Sequence, residues 1–212
     1  MTIKKNHEWG VEIDLCPPFI KVRSDHEIGL HLDSKTCNCF VLDGGSLFES
    51  LGNPQAPPAI GPARSLPFDV ITVVVTQKNF EHTVTAVNDI FIRNKWRHGG
   101  WLKGPLFVVT NTGIRQGRQI ATRAHPNDGH LDVISIATMN VRQRLLGWSK
   151  AKLGNHIPHP KVQVSRATHL VVPVDATQTV VIDKCRYDHV TRISLTIVPD
   201  AAHVLIATGL TL

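Results

Sequence analysis

Apolar residues along this 212-residue chain fall mostly in short runs and in period-two alternation, the patterns of strands rather than helices. Phe68–Thr76 is a continuous, β-branched-rich run, which predicts a strand buried on both faces. Leu106–Thr110, Leu131–Ala137, His169–Val174 and Thr179–Asp183 read the same way. Lys161–Ser165 and Thr191–Val198 alternate as half-buried strands do, and His203–Ala207 closes the series. Many short strands separated by turn residues predict a sandwich or a barrel.

Two segments break this pattern. Residues 53–67 hold five prolines, and proline lacks the N–H that helices and ladders need, so a linker or extended loop is expected there. Between Asn140, a natural N-cap, and Gly154, suited to a left-handed C′ position, a helix is expected. Val141, Leu145, Trp148 and Leu153 lie broadly along one face of it. Arg142, Arg144, Lys150 and Lys152 crowd the remainder. Such a helix either packs on a sheet with its cations in water or lies on an anionic membrane surface.

The first 52 residues read as mixed α/β. Cys39–Leu42 is a short apolar strand, Asp43-Gly-Gly-Ser follows it, and Leu47-Phe-Glu-Ser-Leu makes one or two helical turns. A strand, a glycine turn and a helix start aim backbone N–H groups at an anion, which marks Gly44, Gly45 and Ser46 as candidate phosphate-binding residues. An ordinary tight turn has the same composition.

Charge sharpens the picture. The chain carries +6, but Arg93–Arg166 alone holds thirteen Lys/Arg against two acids, while the rest carries −5. A field this polarised concentrates phosphates and anionic surfaces around it. No apolar run approaches the ~20 residues that span a bilayer. The two lysines near Met1 are not followed by the apolar stretch of a secretory leader. Cys16, Cys37, Cys39 and Cys185 do not form the pattern of a disulfide framework. A cytoplasmic protein is expected, with peripheral contact at the inner membrane if the basic helix is used.

The most specific stretch is His125-Pro-Asn-Asp-Gly-His-Leu-Asp-Val, a turn between predicted strands. It can offer the Asp128 carboxylate and the backbone carbonyls of His125 and His130 to a hard cation such as magnesium, or be a plain Asp-Gly turn. Cys37-Asn-Cys39 and the twelve histidines, including His156 and His159, do not match common zinc spacings. Ser46 lacks the glycine–serine elbow of a hydrolase.

Asn127-Asp-Gly-His-Leu-Asp-Val resembles the Asp-Asp-Gly-Leu-Leu-Asp-Val signature of bacterial diacylglycerol and related lipid kinases. Pro105-Leu-Phe-Val-Val-Thr-Asn precedes it as a Val-Val-Asn strand does in that family. Gly154-Asn-His-Ile-Pro-His-Pro resembles the family's Gly-x-His-x-x-His-Pro linker, and Leu66-Pro-Phe-Asp-Val its Leu-Pro-Leu-Asp entry. Val181-Ile-Asp sits where the family has Val-Asp-Gly-Glu. The match runs in order over roughly 66–207.

The resemblance implies an α+β, mainly β protein, with a reduced α/β nucleotide-domain-like part at 1–52, a linker at 53–67 and a β-sandwich domain at 68–212. It implies a structural cation at the Asp128 turn and a catalytic role for Asp183 if the protein is active. The family's Asp-Gly-Thr phosphate loop is absent, and Cys185 stands where the family has a glutamate. Phosphoryl transfer depends on positioning and charge neutralisation, so bound ATP is not expected. The expectation is a degenerate lipid-kinase-like protein that binds a lipid head group, a phosphate-bearing small molecule or an anionic membrane surface. The alternatives are an active ATP-dependent lipid kinase, with a modified loop or completed by a second copy or a partner chain, and a nucleic-acid-binding protein.

Overall fold

The structure, a computed structural model, describes residues 9–15, 17–78, 80–153 and 159–208. Cys16, Gly154 and His156 therefore lie outside the described residues. Val11–Leu15 (β1) and Ile20–Val22 (β2) precede helix Asp25–Asp33 (α1), and Cys39–Leu42 (β3) leads into the short helix Ser46–Ser50 (α2). Gly61–Gln77 (β4), Phe80–Ala86 (β5) and Asp89–Asn94 (β6) follow, then a 3-10 turn at Trp96–His98 and helix Gly100–Lys103 (α3). Leu106–Thr110 (β7), the hairpin Ile114–Arg115 (β8) and Arg118–Gln119 (β9), and Leu131–Ile136 (β10) lead to helix Val141–Lys150 (α4). Val162–Ala167 (β11), His169–Pro173 (β12), Gln178–Ile182 (β13), Cys185–Tyr187 (β14) and Arg192–Ala207 (β15) complete the chain. Among the described residues no helix is long and apolar enough to cross a membrane.

Two sheets form the sandwich. One has the order β1-β4-β15-β3-β2, with β5 added along β4 and β12 along β15; the other has the order β11-β10-β7-β6-β13-β14. Their facing sides share one core, built from Ile71, Val73 and Val75 of β4, Ile193 and Leu195 of β15, and Ile90, Val109, Leu131 and Val180 opposite. Alternation explains this layer: Thr72, Val74 and Thr76 point to the other side and are half-buried. The expectation that Phe68–Thr76 is buried on both faces fails for that half of the strand. β11, expected to be half-buried, is an edge strand with four of its six residues exposed.

The long strands β4 and β15 carry the sheet beyond the sandwich. Residues 61–67 are not a loop but the first part of β4, paired to β1 and β15. Both prolines in that stretch sit where one neighbour is missing. Pro62 lies beyond the last β15 partner, Ala63, and Pro67 beyond the last β1 partner, Ser65. A residue that cannot donate is tolerated at such half-edges. Thr191–Val198 and His203–Ala207 are likewise one strand, with the register shifting between Val198 and Ala202 around Asp200 at φ 52°.

The N-terminal part is a small α/β layer, as the sequence suggests. β2 and β3 are parallel, β3 is parallel to β15, and α1 makes the crossover. Ser24 caps α1 by accepting from Glu27 N at 3.2 Å. Gly29 lets α1 close on β5, because an added Cβ would lie 2.5 Å from the Thr85 carbonyl oxygen. The Asp33 carboxylate accepts from Thr85 N at 3.0 Å on the same side. This packing fixes the middle and C-terminal end of α1 against β5.

Candidate functional site

The start of α1 and the β13–β14 turn meet in one hollow of about 220 Å³, lined by Ser24, Asp25, His26, Asp183, Lys184 and Cys185, and Asp25 in turn bonds the backbone that follows the glycine turn before α2. The glycine turn is built to hold an anion. Gly45 has φ +100°, and an added Cβ would lie 2.6 Å from Asp25 Oδ1. The anion present is the protein's own: Asp25 accepts from Ser46 N at 2.8 Å and from Leu47 N at 3.1 Å. The sequence locates the cradle at Gly44, Gly45 and Ser46. It does not show that Asp25 fills it.

Asp183 and Lys184, at φ 42° and 73°, form the two-residue turn between Ile182 and its partner Cys185. Two positive φ values mark the hairpin turn that matches strand twist. The turn drives the Asp183 carboxylate inward, where it accepts from Val87 N at 2.6 Å, Asn88 N at 3.1 Å and Asp89 N at 2.9 Å. Burial, then the negative charges of Asp25 and Asp89, push its pKa up to about 7. Burial also raises Asp25 and Asp89, the latter held by an ion pair to Arg115.

A nucleotide triphosphate does not fit these residues. The two cradle amides are taken, the carboxyl groups of Asp25 and Asp183 line the hollow, and its volume is below the roughly 300–1,000 Å³ of ligand pockets. Asp183 can hold a proton near neutrality, but both its oxygens serve the 87–89 turn. The arrangement clamps β13 to the start of β6.

The Asp-Gly turn is organised by a residue not singled out in the sequence, Asp69. Its carboxylate accepts from Gly129 N at 2.7 Å, Asp200 N at 2.9 Å and the Asn127 side chain at 3.2 Å. Burial raises its pKa to about 6. The turn thus locks the bulge in β15 where the long strands leave the sandwich. The Leu66-Pro-Phe-Asp-Val motif contained the signal, but its partners lie 58 residues or more away.

Asp128 has different partners. Oδ1 accepts from His130 N at 3.0 Å, and Oδ2 pairs with Arg166 Nη2 at 2.7 Å. These residues do not fit the hard cation expected at Asp128, His125 and His130, because a guanidinium already supplies the positive charge at the carboxylate. The described residues contain no group of three metal-ligating side chains. Asp128→Ala should cost about 1–3 kcal/mol, since His130 N and Arg166 lose an acceptor. Thermal unfolding with and without a chelator checks this. A melting temperature that drops on chelation of the wild type would restore the cation.

The basic helix departs from the expectation at Arg144 and Leu145. Asn140 caps α4 and forms a reciprocal box with Gln143. Arg144, expected at an anionic surface, is buried at 5% exposure and donates from Nη2 to the Gly104 carbonyl at 2.6 Å. Leu145 and Leu146 are instead 49% and 62% exposed. Arg142, Lys150 and Lys152 are exposed as expected. Other cations of the basic segment are also committed internally. Arg166 pairs with Asp128 and Asp132, and Arg118 lies over Trp148. The +11 segment is therefore not a continuous phosphate-binding stripe. Beneath α4 lies a pocket of about 460 Å³ on the outer face of the second sheet.

Comparisons with known proteins agree with this architecture. A family model described as "YegS C-terminal NAD kinase beta sandwich-like domain" matches residues 97–206. Yeast NADH kinase complexed with NADH aligns with a TM-score of 0.53 at 10% identity, covering 89% of this chain and 61% of the yeast chain. This chain therefore spans about three fifths of that relative's length. A diacylglycerol-kinase-like protein from Bacillus anthracis str. Sterne aligns with a TM-score of 0.53 at 11% identity, covering 88% and 77%. No curated protein matches. At such identities the likeness is one of fold, whereas the family model covers more than half of the sequence: the chain belongs to the family of the YegS C-terminal NAD kinase β-sandwich-like domain.

Proposed function

We propose that this member of the family binds anionic lipid surfaces through α4 and does not transfer phosphate. The observation that carries the reading is the outward face of α4. Arg142, Leu145, Leu146 and Ser149 share that face at helical spacing and are all exposed, with Lys150 and Lys152 following. Two neighbouring leucines left in water while an arginine is buried contribute little to the protein's own core. Leucines flanked by cations suit the boundary between head groups and acyl chains. The cleft supports the second half of the reading, because its anion cradle is closed by Asp25.

The test is co-sedimentation with vesicles. Phosphatidylserine-rich vesicles should pellet the protein at low salt and phosphatidylcholine vesicles should not. The difference should shrink as salt shortens the screening length towards ~3 Å at 1 M. Each basic residue near an anionic surface contributes about 1 kcal/mol, so Arg142→Glu, Lys150→Glu and Lys152→Glu together should weaken binding about 100-fold or more. Leu145→Ser with Leu146→Ser should weaken it without removing the salt dependence. A triple charge-reversal variant that still pellets would remove α4 from the contact.

A further inference from the structure

We propose that Cys37 and Cys39 form a reversible thiol–disulfide pair that exchanges with small-molecule disulfides. The pair lies at the start of β3 and does not involve α4, so the inference and the membrane reading can fail separately.

The pair sits where α1 gives way to β3. Helix α1 ends at Asp33, and the exposed residues Ser34, Lys35 and Thr36 lead to Cys37. Both thiols are half-buried, so a small reagent reaches them without unfolding the chain. Asn38 between them is exposed, and the chain bends there. Cys37 Sγ accepts from Cys39 N at 3.3 Å and lies 3.2 Å from the Cys39 carbonyl oxygen. Both contacts are to Cys39 itself, so the first sulfur stands over the residue whose thiol is to join it. Along an extended chain, Cα atoms two residues apart are separated by about 7 Å. The bend shortens that span towards the roughly 4.4–6.8 Å of bridged cysteines.

The two sulfurs are not equivalent. Cys39 packs against the cluster of Leu15, Val41, Ala63 and Leu205. Burial, and then the neighbouring Cys37, raise its pKa. The thiolate is the nucleophile, so a thiol held protonated attacks poorly. Cys37 therefore attacks first. Its sulfur forms a bond to one sulfur of the small disulfide, whose own S–S bond breaks and releases a thiolate. Cys39 then gives up its proton, and its sulfur displaces the second small thiolate from Cys37. The two cysteines lose two electrons, the small disulfide gains them, and the two cysteine protons end on the two released thiols. A low-reactivity contrast exists in the same chain. Cys185 is also half-buried, but burial and the Asp183 carboxylate raise its pKa, and no second thiol lines its hollow.

The experiment treats the full reduced chain with bis(2-hydroxyethyl) disulfide, blocks the remaining thiols and maps the peptides by mass. The wild type should lose two hydrogens from the peptide that holds Cys37 and Cys39 and release two molecules of mercaptoethanol per chain. Dithiothreitol should reverse this. Cys39→Ser should stop at a mixed disulfide on Cys37. In Cys37→Ser, Cys39 should react at least about tenfold more slowly than Cys37 does in the wild type, as should Cys185. The wild-type map decides the pairing by itself, so a variant that fails to fold does not obscure it. A mixed disulfide that accumulates without closing, a bridge from either residue to Cys16 or Cys185, a first adduct on Cys39, or no reaction at this pair in the folded chain would overturn the proposal.

Discussion

Asp183→Ala should destabilise the protein by about 3–5 kcal/mol in denaturant unfolding, close to the loss of a whole buried network. Its carboxylate satisfies three consecutive backbone N–H groups, those of Val87, Asn88 and Asp89, and it is 5% exposed. Each buried donor left without an acceptor costs about 1–3 kcal/mol. Removing a carboxyl that is itself unfavourably buried returns part of that. Asp183→Asn should lose less than alanine, because one oxygen remains to accept. Its amide would face backbone donors with donors of its own, so it should not restore the wild type.

The same carboxyl gives a pH dependence of fixed sign. Its pKa lies near 3.8 when exposed and at about 7 in the fold. Between those values the folded state binds the extra proton. Stability is therefore greatest at the acid end of that window and falls as pH rises towards 7. Asp69, raised to about 6, acts in the same direction over the lower part of the window. Unfolding free energies at several pH values should slope downward from about pH 4 to 7, and Asp183→Asn should flatten the upper part. An alanine variant within about 1 kcal/mol of wild type, or stability that rises across the window, would show that Asp183 does not clamp the 87–89 turn in this way.

The strands were legible because their chemistry is local: β7, β10, β12 and β13 coincide with apolar runs to within a residue or two. The glycine turn and the cap of α4 were legible for the same reason. What escaped depends on distant partners. Asp25 closes the anion cradle across 21 residues, and α1, which positions it, shows little amphipathic pattern. Asp69 holds a turn 60 residues away and a bulge 131 residues away. The face of α4 was assigned from hydrophobicity, which placed Leu145 inward. A carbonyl 40 residues upstream and the packing of Trp101 on Trp148 turned Arg144 inward instead. The prolines at 62 and 67 read as a loop because a sequence does not show where β1 and β15 stop pairing with β4.

The purified chain, supplied with ATP, magnesium and diacylglycerol in vesicles, should form no phosphatidate above the protein-free background. A nucleotide kinase site neutralises the triphosphate with metal, basic side chains and oriented backbone amides. Here the amides of Ser46 and Leu47 are already paired to Asp25 at 2.8 and 3.1 Å. An entering triphosphate would have to displace that carboxylate into a hollow that Asp183 also lines. Lys184 is the one cation in its lining, and Arg115, the nearest compensation for Asp89, is spent on that residue. At 4 Å and an effective dielectric near 20, each pair of like charges costs about 4 kcal/mol. Two such contacts offset the ~8 kcal/mol of a micromolar ligand. Turnover should therefore lie at least about a thousandfold below the 1–100 s⁻¹ of working kinases at pH 8, where Asp183 is ionised. Asp25→Asn removes one of the opposing charges but keeps the cradle filled by an amide oxygen, so it should not create activity. Labelled phosphatidate accumulating in proportion to wild-type protein, and lost on heat denaturation, would mean that the cradle opens in solution and that the chain is a kinase after all.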